Sequence, residues 1–127
     1  MGSTQVPHGP FKLVTVNTAP ERAKRLVGRV AQNLQDRYEI QHLYNCEKID
    51  EVQAAVRDNQ PDLLFCASMW SAEEAEEIQS IARGIKSDIV TYAIPHGLQV
   101  ERGPEAIVEH LTQKLPSILE ASCAQRV

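Results

Sequence analysis

Asp62-Leu63-Leu64-Phe65-Cys66-Ala67 decides the fold. A strand with one wet face alternates apolar and polar residues; this run does not alternate. Continuous apolar character over so few residues marks a strand buried on both faces, the pattern of a parallel sheet covered by helices on either side. Turn formers bound it: Asn59-Gln60-Pro61 before, and Ser68-Met69-Trp70-Ser71 after. The flanks are therefore expected to be helical. Downstream, Ser71 and Glu74 stand at capping-box spacing, and Glu73, Glu74, Glu76 and Glu77 crowd the first turns of a helix, where the helix dipole favours acids. Ala75, Ile78, Ala82 and Ile85 give that helix its apolar stripe. Upstream, Ile49, Val52, Ala55 and Val56 give a shorter one.

Further outward the alternation continues. Phe11 to Asn17 is β-branched and apolar and reads as the first strand. Thr18 is the expected cap and Pro20 the first-turn proline of a helix whose Ala23, Leu26, Val27, Val30, Ala31 and Leu34 recur at three- and four-residue spacing. Tyr38 to Tyr44 alternates polar with apolar and reads as an edge strand. Asp88 to Ile94 is a fourth strand, stopped by Pro95-His96-Gly97. Gln99 to Gly103 reads as a polar loop, and Pro104 opens a last helix that Pro116 should kink or split. Residues 1–10 read as a flexible tail, 11–120 as a single α/β domain, and 121–127 as a frayed end.

The order βαβαβαβα predicts a three-layer αβα sandwich around a doubly wound parallel four-stranded sheet. With an apolar first strand and an alternating second, the strand order is 2-1-3-4. Such sheets place ligands at the switch point between strands 1 and 3, outside the carboxyl ends. Asn17, Thr18, Ser68, Met69, Trp70, Pro95 and His96 are expected to gather there, with Cys46 just beyond strand 2.

Composition sets bounds. At 127 residues the chain is one domain, and 43% hydrophobic with 24% charged residues is the make-up of a globular chain. A net charge of −4 suits phosphate backbones poorly, so nucleic acid is disfavoured. No run approaches the ~20 apolar residues of a membrane helix. Three cysteines with no C-x-x-C spacing argue against a disulfide framework and a zinc ribbon. No signal peptide is read at the start, and a reducing, cytoplasmic location is the expectation.

Val16-Asn17-Thr18-Ala19-Pro20 and Gln60-Pro61-Asp62-Leu63-Leu64-Phe65-Cys66-Ala67-Ser68-Met69-Trp70 resemble the first turn and third strand of response-regulator receiver domains, a flavodoxin-like fold. The resemblance spans roughly residues 11 to 97 and implies the fold, not the family's chemistry. Receivers hold magnesium with an acidic pair after strand 1, where Asn17 and Thr18 stand. They accept phosphate on an aspartate ending strand 3, where Ala67, or Cys66 one residue earlier, stands. Ala93 lies near the place of their hydroxyl residue, and the fifth strand with its lysine is missing. The resemblance thus implies a member that is not phosphorylated.

Flavin would need a glycine- and hydroxyl-rich loop after strand 1, and Asn17-Thr18-Ala19-Pro20 has no glycine. There is no G-x-G-x-x-G or Walker loop. Cys66 is a candidate reactive thiol with His96 approaching from strand 4, set against the ordinary fate of a buried apolar cysteine. His96 is the one candidate acid or base, set against a loop histidine bonded to backbone. His8, His42 and His110 show no metal-ligand spacing. Trp70 beside Met69 is either an interface residue or simple packing. Arg22, Arg25 and Arg29 form a stripe on the first helix opposite in sign to the acidic third helix, either solvated or docking a partner.

The expectation is a non-catalytic, receiver-like regulatory or protein-interaction module, with no cofactor, no metal, and a protein partner that includes a second copy. The alternative is a small-molecule site or enzyme at the ends of strands 1 and 3, with His96 as acid or base.

Overall fold

The computed structural model describes residues 8–125, with side chains from 10 to 98 and from 102 to 120. Four strands and four helices alternate: β1 His8–Val16, α1 Pro20–Leu34, β2 Tyr38–Cys46, α2 Val52–Asn59 (entered through a short 3-10 turn), β3 Leu63–Cys66, α3 Ala72–Ile85, β4 Val90–Ala93 and α4 Leu98–Gln125. The sheet is all parallel in the order β2-β1-β3-β4. This is the doubly wound αβα sandwich expected from the continuous apolar run of β3 and the alternation of β2.

Each central strand divides its side chains between two cores because successive residues point to opposite faces. Phe11, Leu13, Leu63 and Phe65 pack against Leu26, Val27 and Val30 of α1 and Ile107, Leu111 and Leu115 of α4. Val14, Val16, Leu64 and Cys66 pack against Val52 and Val56 of α2 and Ala75, Ile78 and Ala82 of α3. All four residues of β3 are at most 3% exposed, which explains why its sequence has no polar alternate. Truncating Leu64, fully buried, to Ala would cost about 2–5 kcal/mol.

The capping box of α3 forms as its spacing predicts: Ser71 Oγ accepts from the Glu74 N–H at 3.1 Å, and Glu74 Oε1 accepts from the Ser71 N–H at 2.9 Å. Four local expectations need correction. Thr18 does not cap α1. Ala19 occupies the N-cap, and Asn17 Oδ1 takes the Ala19 N–H at 2.8 Å, a carboxamide bonding two residues on. The first strand starts at His8, three residues early, because His8 pairs with Tyr38; a register shift before Phe11 accommodates Gly9 and Pro10. Residues 1–7 of the expected tail lie outside the described residues. Leu98 to Arg102 is a helical turn rather than a polar loop. The break in α4 falls at Gly103, whose φ of 84° suits glycine, and Pro104 restarts the helix. Pro116 neither splits the helix nor leaves the helical region, and the helix runs on to Gln125. Leu111, Leu115 and Leu119, all at most 3% exposed, hold it to the core across the N–H that Pro116 lacks.

Candidate functional site

The carboxyl ends of β1, β3 and β4 and the loops that follow them form the switch point. The seven residues named for it stand on these loops, and hydrogen bonds tie them to one another or to neighbouring backbone. Trp70 Nε1 donates to the carbonyl of Val16 at 2.8 Å, laying the indole across the end of β1. His96 Nδ1 lies 2.9 Å from the Trp70 carbonyl. A carbonyl only accepts, so Nδ1 carries the proton and neutral His96 keeps its Nε2 lone pair free. The Gly97 N–H donates to the carbonyl of Ser68 at 2.9 Å, with Gly97 at a φ of 82°. Thr18 Oγ1 donates to Met69 Sδ at 3.6 Å. The Pro95 carbonyl takes the N–H of Leu98 at 3.2 Å. Asn17 and Ser68 are buried, whereas Thr18, Pro95 and His96 are exposed.

Beneath these loops, between α1 and α4, lies a cavity of about 30 Å³. Thr15 and Asn17 are its polar residues; Ala23, Val27, Phe65 and Ile107 are among its apolar walls. A nucleotide or flavin needs a cleft of several hundred Å³. At the end of β1 the indole of Trp70, bonded to the Val16 carbonyl, lies half-buried against the core on the α2–α3 side.

A polar network the sequence did not disclose runs from the sheet edge to α1. Thr15 Oγ1 is 2.9 Å from His42 Nε2 and 2.7 Å from Asn45 Oδ1, and Asn45 Nδ2 donates to the Asn17 carbonyl at 3.0 Å. Its proton directions follow by elimination. The Asn45 amide nitrogen is committed to Asn17, so its oxygen takes the Thr15 proton. His42 Nε2 must then carry a proton and donate to Thr15. His42 is therefore a donor to this hydroxyl and not a base that could activate it. Burial holds the His42 pKa below its ordinary value, against a contact with the Tyr44 backbone and with help from the Lys24 charge. The signal was cross-strand register. Thr15 faces Asn45, and a bulge after Leu13 brings His42 beside it.

The two thiols among the described residues, Cys46 and Cys66, are buried in the sheet. Cys46, Val16, Cys66 and Ala93 form one row across the sheet. Cys46 thus ends β2 inside the sheet rather than lying beyond it. Two cysteines separated by an intervening strand are roughly 10 Å apart, beyond disulfide reach. Both are fully buried, and burial pushes each thiol up to about 12. His96 bonds to the Trp70 carbonyl instead of approaching Cys66. The arginine stripe is also partly engaged within the chain: Arg29 clasps Glu105 of α4 with two bonds, at 2.6 and 2.7 Å. Among the described residues no cluster of His, Cys, Asp and Glu could hold a metal ion, and no helix is long and apolar enough to cross a membrane.

On the outer side of α1 an open groove runs along β2, bordered by Lys24, Gly28, Ala31, Ile40, His42 and Tyr44. Tyr44 is the one exposed large hydrophobic residue among the described residues, at 47%. No family model matches the chain, and neither a curated protein nor a solved structure is found similar to it.

Proposed function

We propose that this chain is a non-catalytic, receiver-like regulatory module that is not phosphorylated and acts by protein contact, including contact with a second copy, in the cytoplasm. The observation that carries this reading is the Trp70–Val16 bond, which ties the indole at the switch point to the chain's own backbone. Asn17, Thr18, Cys66 and Ala67 stand where receiver chemistry would need carboxylates, so neither a magnesium ion nor an acyl phosphate has its ligands. Native mass spectrometry of the freshly purified chain, followed by the same sample denatured, tests it. The expected result is a mass equal to whole numbers of bare chains, with a dimer that grows with concentration. Extra mass lost on denaturation would overturn the reading.

One observation favours the alternative of a small-molecule site. His96 is exposed and oriented by Trp70, with Nε2 unprotonated when neutral, the arrangement a general base requires. On that reading His96→Ala abolishes ligand binding or turnover and leaves the folded spectrum unchanged.

A further inference from the structure

We propose that a second copy of this chain docks on the outer side of α1, the two α1 helices packing antiparallel about a two-fold axis over abutting β2 edges. This surface rests on the protein-contact reading above and gives the second copy its place. β2 is an edge strand, with β1 on one side and no strand on the other among the described residues. A groove lies between it and α1, with Gly28 and Ala31 on the helix wall. The chain itself gives no reason for a glycine at position 28. The residue sits mid-helix, where glycine is costly, and a Cβ there would meet no atom within 4 Å. Small residues at a helix crossing let two backbones approach closely.

Charge identifies what comes there. Glu21 and Arg25 stand on the N-terminal half of α1, and Asp36 and Arg37 follow its C-terminus; all four are exposed. Arg25 and Asp36 form no ion pair among the described residues. With the two-fold axis between Gly28 and Ala31, Arg25 comes level with the partner's Asp36 and Glu21 with the partner's Arg37, to within ~3 Å along the helix. Opposite charges therefore meet at both ends of the seam, and the two helix dipoles run in opposite directions. The axis makes each pair twice, as a self-complementary interface requires. Extent agrees as well. α1 is ~22 Å long and β2 ~30 Å. A seam of that length, one helix layer and one sheet layer deep, buries roughly 500 Å² per copy, about the total of 1,000 Å² that marks a weak specific dimer.

Sedimentation equilibrium of the full chain tests it, with Arg25→Asp, Asp36→Arg and the doubly exchanged variant beside the native protein. Both positions are exposed, and far-ultraviolet circular dichroism checks that each variant is folded. Each single change should raise the dimer Kd about tenfold, and the double exchange should return it to within about threefold of native. Gly28→Gln should also weaken the dimer, whereas Gly84→Gln, equally unhindered on α3, should not. A dimer indifferent to these changes, or single losses that the double exchange does not rescue, overturns this interface and leaves the protein-contact reading standing. No dimer at any concentration overturns both.

Discussion

The indole Nε1 of Trp70 donates to the carbonyl of Val16 at 2.8 Å, so a loop residue after β3 closes the end of β1. Val16 O also takes the Ala67 N–H at 3.1 Å and keeps a partner when the indole is removed. Trp70→Phe should therefore cost only about 1 kcal/mol, the net worth of one hydrogen bond. Trp70→Ala also removes a half-buried ring from against the α2–α3 core and should cost about 2–3 kcal/mol. Urea unfolding followed by far-ultraviolet circular dichroism measures both, since Trp70 is the only tryptophan. Equal losses for the two variants would show that the ring contributes nothing beyond its bond.

Gln60 ends α2 in the left-handed region, at φ 46° and ψ 57°, the one non-glycine residue with positive φ among those described. Pro61 follows and further restricts its backbone. The side-chain amide bonds to the carbonyls of Val56 and Arg57 at 3.3 and 3.2 Å, too long and too exposed to offset much of that strain. Gln60→Gly should stabilise the chain by about 0.5–1 kcal/mol, even though glycine loosens the unfolded state. A denaturant midpoint that does not rise would place the strain elsewhere.

What the sequence disclosed and what it hid divide along physical lines. Leu63 to Cys66 announced a doubly covered strand because burial on two faces leaves no room for a polar residue. Tyr38 to Tyr44 announced an edge by its alternation. The start of β1 at His8 was hidden, since strand length depends on what Tyr38 offers across the sheet. The continuity of α4 across Pro116 was hidden too, because packing of Leu111, Leu115 and Leu119 outweighs a local preference. For the site, position was legible and state was not. Topology gathered Asn17, Ser68, Trp70 and His96, but only geometry tells that Trp70 bonds to the Val16 carbonyl and holds His96 on its own carbonyl. The His42–Thr15–Asn45 network needed a bulged register that no periodicity encodes.

Cys46 and Cys66 should resist alkylation at neutral pH until the chain unfolds. Each is fully buried, and its thiol is pushed up to about 12, so thiolate is scarce as well as hidden. Iodoacetamide labelling read by peptide mass spectrometry, with and without urea, checks this. The same burial has a consequence in alkali. Unfolded thiols lose their protons near 9.0 and folded ones only near 12, so above pH 9.0 the unfolded state binds fewer protons. The thiols' contribution to stability is complete below pH 9.0 and should fall as pH rises from there towards 12. Cys46→Ala should reduce that slope, although the cavity it opens lowers stability at every pH.

Acid should act through two histidines. Burial lowers the pKa of His42, and Lys24 adds to the effect. Burial and then Lys114 lower that of His110, which bonds to the Tyr92 hydroxyl and stacks on its ring. In both, the unfolded chain takes up a proton near the ordinary value of 6.5, before the folded one does. Their contribution is therefore intact above pH 6.5 and is lost as pH falls below it. Urea midpoints at about pH 7.5 and about pH 5, on either side of that value, should show a drop that shrinks in His42→Gln and again in His42→Gln with His110→Gln. His42→Gln has a second effect. A glutamine amide can still donate to Thr15, so the network up to Asn17 should survive at neutral pH. If that variant instead loses stability equally at both pH values, His42 is held by shape alone and its protonation state does not matter.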